Sequence, residues 1–372
     1  IILCCLTAVG SCAYFNTLYN ARRIYRETEE RRESGRGGER ELRGNYEEVV
    51  TKCAQVVRDY PDSRWVDDAL FLMGKALVRQ GEVDKGARKF MELMTNFPES
   101  DYVPKSIYWL GLAYYEKGDH NQALTFTDRF LKEFPKHDLR TSVLFLAGDI
   151  NRELEQEEEA LSYYARVAEE SSDGEIVDEA ILKTAELFYA LEDWEKAAES
   201  YVRVLRKGIS WERRYEISLA LGECYSRIGK CRDALDVYNG LLEEIVSSKE
   251  KPAVMLGKGM SYVCMDSIET ALSIFESVTG EFPRSVYSAE AYYRIGTNYH
   301  ERLDSLSRAQ EAFSKVAGEY AKSPFAEAAI QKSTSIKRLL ELEETESGGE
   351  GSLERVRGRL KLRLPELAGI RL

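Results

Sequence analysis

Histidine and proline are scarce, at three and eight among 372 residues. His120, His137 and His300 lie far apart, and the seven cysteines contain no Cys-x-x-Cys pair. Zinc ligation needs several such side chains at short spacing, so neither a metal nor another cofactor is expected. Basic charge is also short: 52 Lys and Arg face 64 Asp and Glu, a formal net charge of −12. Nucleic-acid binders need a basic surface to release counterions from phosphate, so DNA and RNA are not expected partners. Catalytic motifs are missing as well. There is no HExxH and no GxSxG, and the string from Gly81 to Arg88 has the glycines of a phosphate loop without its lysine and hydroxyl. The acidic side chains Glu153, Glu155, Glu157, Glu158 and Glu159 read as a hydrated turn. The expectation is a protein that is not an enzyme.

Tyrosine is abundant, with 22 residues, and the hydrophobic fraction of 44% beside 31% charge is that of a folded protein rich in aromatic-faced helices. The decisive signal is internal repetition. Pro61, Pro98 and Pro135 are 37 residues apart, and Pro283 lies four such steps further on. On the same grid stand Gly74, Gly111, Gly148, Ala185, Gly222, Gly259 and Gly296, and then Gly86, Ala123, Ala160, Ala197, Ala234 and Ala271. A third track runs Phe90, Thr127, Tyr164, Tyr201, Tyr238 and Phe275, with Phe313 displaced by one extra residue before Ala309. Small residues twelve apart place one close-approach point on each of two helices, and the large aromatic fills the space beside them. The spacing therefore predicts stacked helix hairpins.

Leu110, Gly111, Tyr114, Gly118, Ala123 and Pro135, with Thr127 in place of the usual aromatic, resemble the tetratricopeptide repeat (TPR), although the period is longer than that family's. The resemblance implies an all-α, right-handed superhelical TPR solenoid. It would have about seven full repeats over residues 62–320, a partial repeat at 45–61 and a capping helix at about 325–344. First helices in such solenoids line a concave face that binds peptides or protein segments. By analogy that face carries Phe71, Tyr108, Tyr115, Leu182, Tyr189, Leu219 and Tyr293, unless these side chains pack between repeats. The basic residues with which some TPR proteins clamp a C-terminal carboxylate are not recognisable here. Cys224 and Cys231 could meet across one hairpin and oxidise, or remain free core thiols.

Residues 1–11 are apolar or small and too short to span a bilayer, as in the apolar and cleavage regions of an export signal without its basic leader. Val9-Gly10-Ser11-Cys12 resembles the bacterial lipobox, which implies that Cys12 is the lipidated first residue of a mature protein. An ordinary signal peptide or a buried helix are the alternatives. Ala13 is not the aspartate tied to inner-membrane retention, which favours the outer membrane. Tyr14, Leu18, Ala21, Ile24 and Tyr25 recur at helical spacing and can supply the first helix that the partial repeat lacks, with residues 34–44 as a charged loop. Arg22, Arg23 and Arg26 face either headgroups or water. After a linker at 347–352 the chain becomes basic. From Leu353 onward six Arg and Lys oppose two Glu, in a tail suited to strand addition or simply loose.

The expected organisation is a signal segment at 1–11, an N-terminal region at 12–61, the solenoid at 62–344 and a linker with basic tail at 345–372. A lipobox-like cysteine followed by TPR hairpins of the Phe-Pro-x-Ser kind resembles outer-membrane assembly lipoproteins of the BamD family and, in the repeats, the Tol-Pal coordinator YbgF. The resemblance implies a lipid-anchored scaffold on the periplasmic face of the outer membrane. Its partners would be envelope proteins or peptides, including β-barrel assembly components, and the alternative is a Tol-Pal or other peptide-binding role.

Overall fold

The computed structural model describes residues 2–206, 208–245 and 247–346, with side chains placed from residue 16 to residue 342 except at 207 and 246. Cys12 and the basic tail lie outside the described side chains. Every regular element among the described residues is an α-helix. The chain divides into two compact units, Ile1–Leu187 and Phe188–Leu372. The first unit contains α1 (Ile2–Glu33), α2 (Glu39–Asp59), α3 (Val66–Arg79), α4 (Val83–Asn96), α5 (Tyr102–Glu116), α6 (His120–Glu133), α7 (Arg140–Glu153) and α8 (Glu157–Glu170). The boundary falls inside α9 (Gly174–Ala190). The second unit continues with α10 (Trp194–Leu205), α11 (Trp211–Arg227), α12 (Cys231–Glu244), α13 (Lys251–Cys264), α14 (Ile268–Glu281), α15 (Val286–Glu301), α16 (Leu306–Glu319) and α17 (Ala326–Glu346). Within each unit consecutive helices pack as hairpins, and first helices of neighbouring hairpins also touch: α1, α3, α5 and α7 in one unit, α11, α13 and α15 in the other. This is the TPR arrangement expected from the grid, with α17 as the closing helix packed on α16.

The three sequence tracks have one physical cause. A Cβ added to Gly148 would come within 2.6 Å of the Tyr164 ring, and at Gly259 within 2.4 Å of Phe275. Real Cβ contacts are never so close, so glycine on the first helix is what lets the aromatic of the second helix lie flat against its backbone. Where Thr127 replaces the aromatic, the same test at Gly111 gives 3.2 Å to the threonine methyl, still tight but without the overlap that a ring produces. The hairpin turns also keep register. Gly81, Gly118, Glu155, Glu192, Gly229 and Asp266 follow the 37-residue step, and all have positive φ, from 57° to 81°. Glycine adopts this left-handed conformation freely, whereas the glutamates and the aspartate pay roughly 1 kcal/mol for it. The extra residue of the seventh repeat falls in the corresponding turn, where Asp304 takes the positive φ.

Leu18, Ala21 and Tyr25 are buried, and the Tyr25 and Tyr46 rings lie 5.8 Å apart, so α1 does pack as the first helix of the opening hairpin. One expectation is corrected, and of the two readings left open for Cys224 the free core thiol holds. The charged loop read over 34–44 ends at Gly38, because Glu39 and Glu41 favour the positive N-terminal end of α2, which runs through Gly44. The pairing of Cys224 with Cys231 does not occur. Cys224 is a fully buried free thiol, while Cys231 bonds Cys264, with Cα atoms 5.8 Å apart. Side chains facing the core of a hairpin cannot reach its turn, but the turns of successive repeats stack, and a separation of 33 residues is close to one period.

Candidate protein-binding surfaces

One side of the first unit is a layer of aromatic rings threaded by ion pairs. Lys75 on α3 points its Nζ at the ring faces of Tyr25, Trp109 and Phe71, at 4.4, 4.9 and 5.7 Å from their centres. Burial pushes its pKa down to about 8. One turn on, Arg79 donates to Glu29 on α1 and to Glu116 on α5, both at 3.2 Å, and stacks on Trp109 at 4.8 Å. Glu29 also accepts from the Tyr46 hydroxyl. Burial alone would raise the Glu29 carboxyl, but the bonds from Tyr46 and Arg32 and the charge of Arg79 outweigh it and hold the group below its usual range. Further along, Tyr164 donates to Asp149 at 2.6 Å. Burial raises the Asp149 carboxyl, and the same burial, helped by that bond, raises the Tyr164 phenol. Arg22 is accounted for by an ion pair with the buried Asp68, whereas Arg23 and Arg26 pair along their own helix with Glu27 and Glu30.

The second unit has an open cavity of about 810 Å³ between α11, α13 and α15. Its floor is apolar, with Leu219, Ala220, Leu256, Gly257, Met260 and Val263. Its wall carries Tyr189, Tyr238 and Tyr287, and its charged groups are Glu223, Arg227, Glu290, Arg294 and Arg302. Tyr189 donates to Glu223 at 2.5 Å and Arg227 pairs with the same carboxylate at 3.3 Å. Burial, reinforced by the Glu223 bond, raises the Tyr189 phenol. Glu290 is taken by Arg294 at 2.9 Å. Cys264, one half of the disulfide, stands at the margin.

Of the residues expected on a concave face, only Tyr189 and Leu219 meet in this cavity. Phe71 is wedged between Tyr102 at 4.8 Å and Phe90 at 5.8 Å, Tyr108 is half-buried in the core of the first unit, and Tyr115 packs edge-on to His120 at 5.7 Å. Leu182 is buried. Tyr293 stacks on Phe325 at 5.0 Å, beside Phe313. Sequence reasoning missed Lys75, Arg79 and Trp109 in the first unit and Ala220, Gly257 and Arg302 in the second. A readable signal existed for the cavity. Two residues before the glycine track the grid carries Leu72, Trp109, Leu146, Lys183, Ala220, Gly257 and Arg294, so two successive repeats lose a bulky side chain at one register.

Residues 69–201 match the model of a family described as outer membrane lipoprotein, and residues 182–248 match a tetratricopeptide repeat model. No curated relative matches the chain. Among solved structures, the C-terminal part of a TPR repeat-containing protein from Cytophaga hutchinsonii is 14% identical with a TM-score of 0.53, covering 70% of this chain and 98% of that one. A TPR protein from Parabacteroides merdae is 17% identical with a TM-score of 0.44, covering 72% and 98%. The Cytophaga structure agrees with the helix-hairpin fold described above.

Proposed function

From a tetratricopeptide-repeat chain that resembles outer membrane lipoproteins of the BamD type, we propose a lipid-anchored, non-enzymatic envelope scaffold that serves outer-membrane protein assembly. The observation that carries the reading is a coincidence of place. The segment matching the lipoprotein family, 69–201, includes most of α3 and all of α5, which carry the Lys75, Arg79 and Trp109 cluster. Aromatic rings beside arginine and lysine form the kind of surface on which protein segments are held, because such side chains combine large contact area with directed polar bonds. The Cys231–Cys264 disulfide is consistent with an oxidising compartment such as the periplasm. Lipidation at Cys12 would supply the anchor, with acyl chains contributing about 0.8 kcal/mol per buried methylene.

Two experiments test this reading. A photo-crosslinker in place of Trp109 should capture a β-barrel assembly component or an outer-membrane protein substrate in intact envelopes. Capture of neither ends the BamD-like assignment. Cys12→Ala should move the protein out of the membrane fraction, and retention there would remove the lipid anchor from the account. Should the crosslinks identify Tol-Pal or wall-synthesis components instead, the scaffold reading stands with a different client.

A further inference from the structure

We propose that the cavity of the second unit is a separate recognition site for a partner segment that combines a bulky apolar side chain with an acidic one. The proposal rests on the scaffold reading only in taking the ligand to be a protein. Apart from Tyr189, every residue lining the cavity lies beyond the stretch that matches the outer membrane lipoprotein family, so that resemblance does not account for the site.

The opening is built by side chains that are missing. At one register of the repeat the first unit carries Leu72, Trp109, Leu146 and Lys183, while the second carries Ala220 and Gly257 before Arg294 restores a long side chain at the cavity. At a neighbouring register Ala253 stands where the grid elsewhere places Asp68, Lys105, Ser142, Glu179, Glu216 and Glu290. The ring of Tyr238 occupies part of the space over Gly257, where an added Cβ would lie 2.4 Å from it, and the remainder stays open above Leu219, Leu256 and Met260. A volume of about 810 Å³ is that of a site for several residues of an extended segment, not a packing defect. Methionine and tyrosine suit an apolar side chain, since one adapts its shape and the other offers a rigid face.

Charge selects the second element of the ligand. Both carboxylates of the cavity are already engaged, Glu223 by Tyr189 and Arg227, and Glu290 by Arg294. Arg302, at the C-terminal end of α15, has no ion-pair or side-chain hydrogen-bond partner among the described residues. Three guanidinium groups against two carboxylates leave one positive charge in a chain whose net charge is −12. A carboxylate bound beside Arg302 would complete the pairing with a charge-assisted bond.

The test uses the full chain and a fluorescein-labelled peptide, Ser-Asp-Leu-Phe-Asp-Gly, followed by anisotropy at low salt. Replacing both Asp by Asn, or Leu-Phe by Ala-Ala, should weaken binding about tenfold or more. Ala220→Leu restores the side chain that Leu72 and Leu146 show to be tolerated at that register, and should weaken binding similarly. So should Arg302→Ala, whereas Arg338→Ala on α17, away from the cavity, should bind like the unsubstituted chain. Absence of binding, or equal binding by Ala220→Leu and Arg302→Ala, overturns the proposal. Equal binding of the Asn peptide overturns its acidic half. Displacement of the peptide by phosphatidylglycerol vesicles, abolished by Ala220→Leu, assigns the cavity to lipid and overturns the peptide. If envelope crosslinking finds no protein partner while the purified chain passes all these tests, the scaffold reading fails and the site remains.

Discussion

The two units apply one repeat grammar to different ends. In the first, the inner register is filled by Leu72, Trp109 and Leu146, and the surface is knitted together by Glu29, Arg79 and Glu116. In the second, Ala220 and Gly257 leave the register open, and a disulfide joins the turns of two successive repeats at the margin of the resulting cavity. The difference teaches that a solenoid separates its two tasks. The glycine–aromatic contact that recurs in most of the hairpins holds the fold, so the register two residues earlier is free to vary with what it must receive.

The largest expected effect breaks this comparison at the staple. Closing a loop with a sequence separation of 33 removes unfolded-chain entropy equivalent to about 3–4 kcal/mol. Cys231→Ser should therefore destabilise the second unit by about that amount while leaving the first unchanged. Urea unfolding read separately from a probe in each unit checks it, and equal loss in both units would contradict the assignment of the staple to one. Next in size, Trp109→Ala imposes on the first unit the small residue of the second. It removes a half-buried ring touched by Lys75 and Arg79 and should cost about 3 kcal/mol, with the fluorescence of crosslinks or labels on α3 reporting the loosened face.

A smaller effect sharpens the contrast between two residues on the same track. Tyr164 and Tyr238 are two periods apart, and both rings lie on a glycine of their own hairpin, Gly148 and Gly222. The Tyr164 hydroxyl donates to the half-buried Asp149, so Tyr164→Phe should cost about 1–2 kcal/mol by stripping that carboxyl of its donor. The Tyr238 ring lines the cavity, and its hydroxyl makes no hydrogen bond among the described residues, so Tyr238→Phe should change stability by less than about 0.5 kcal/mol. Equal costs in denaturant unfolding would mean that the two positions do not differ as drawn.

Local contacts were legible in the sequence and contacts between repeats were not. Gly148 and Tyr164 meet within one hairpin, and each leaves its mark at a fixed offset, so the grid exposed the fold. Leu18, Ala21 and Tyr25 announced α1 by their spacing for the same reason. The Cys231–Cys264 bond joins different hairpins, whereas spacing within one hairpin offered only Cys224 as a partner for Cys231 beside the free thiol. Lys75 was missed because the rings that hold it, Tyr25, Phe71 and Trp109, come from three helices. The cavity was missed because its signal is a smaller residue, and an alignment of repeats that looks for shared features passes over a position where they differ.

Lys75 supplies the smallest test, one that bears on the first unit. Burial lowers its pKa from 10.5 to about 8 in the folded chain, although the ring faces around it favour the charged form. Below about pH 8 the folded state carries the full penalty of a buried ammonium. Between about 8 and 10.5 the unfolded chain holds a proton that the folded chain has released, so stability must rise with pH through that window. The gain amounts to about 1 kcal/mol between about pH 8 and about pH 9. Tyr25 and Tyr46 act in the opposite sense, because their raised folded pKa makes the unfolded chain lose protons first and lowers stability above about pH 10. The first unit should thus show a rise and then a fall. Lys75→Met removes the rise and leaves the fall. A rise that survives in Lys75→Met would show that the slope comes from groups other than the lysine between the rings.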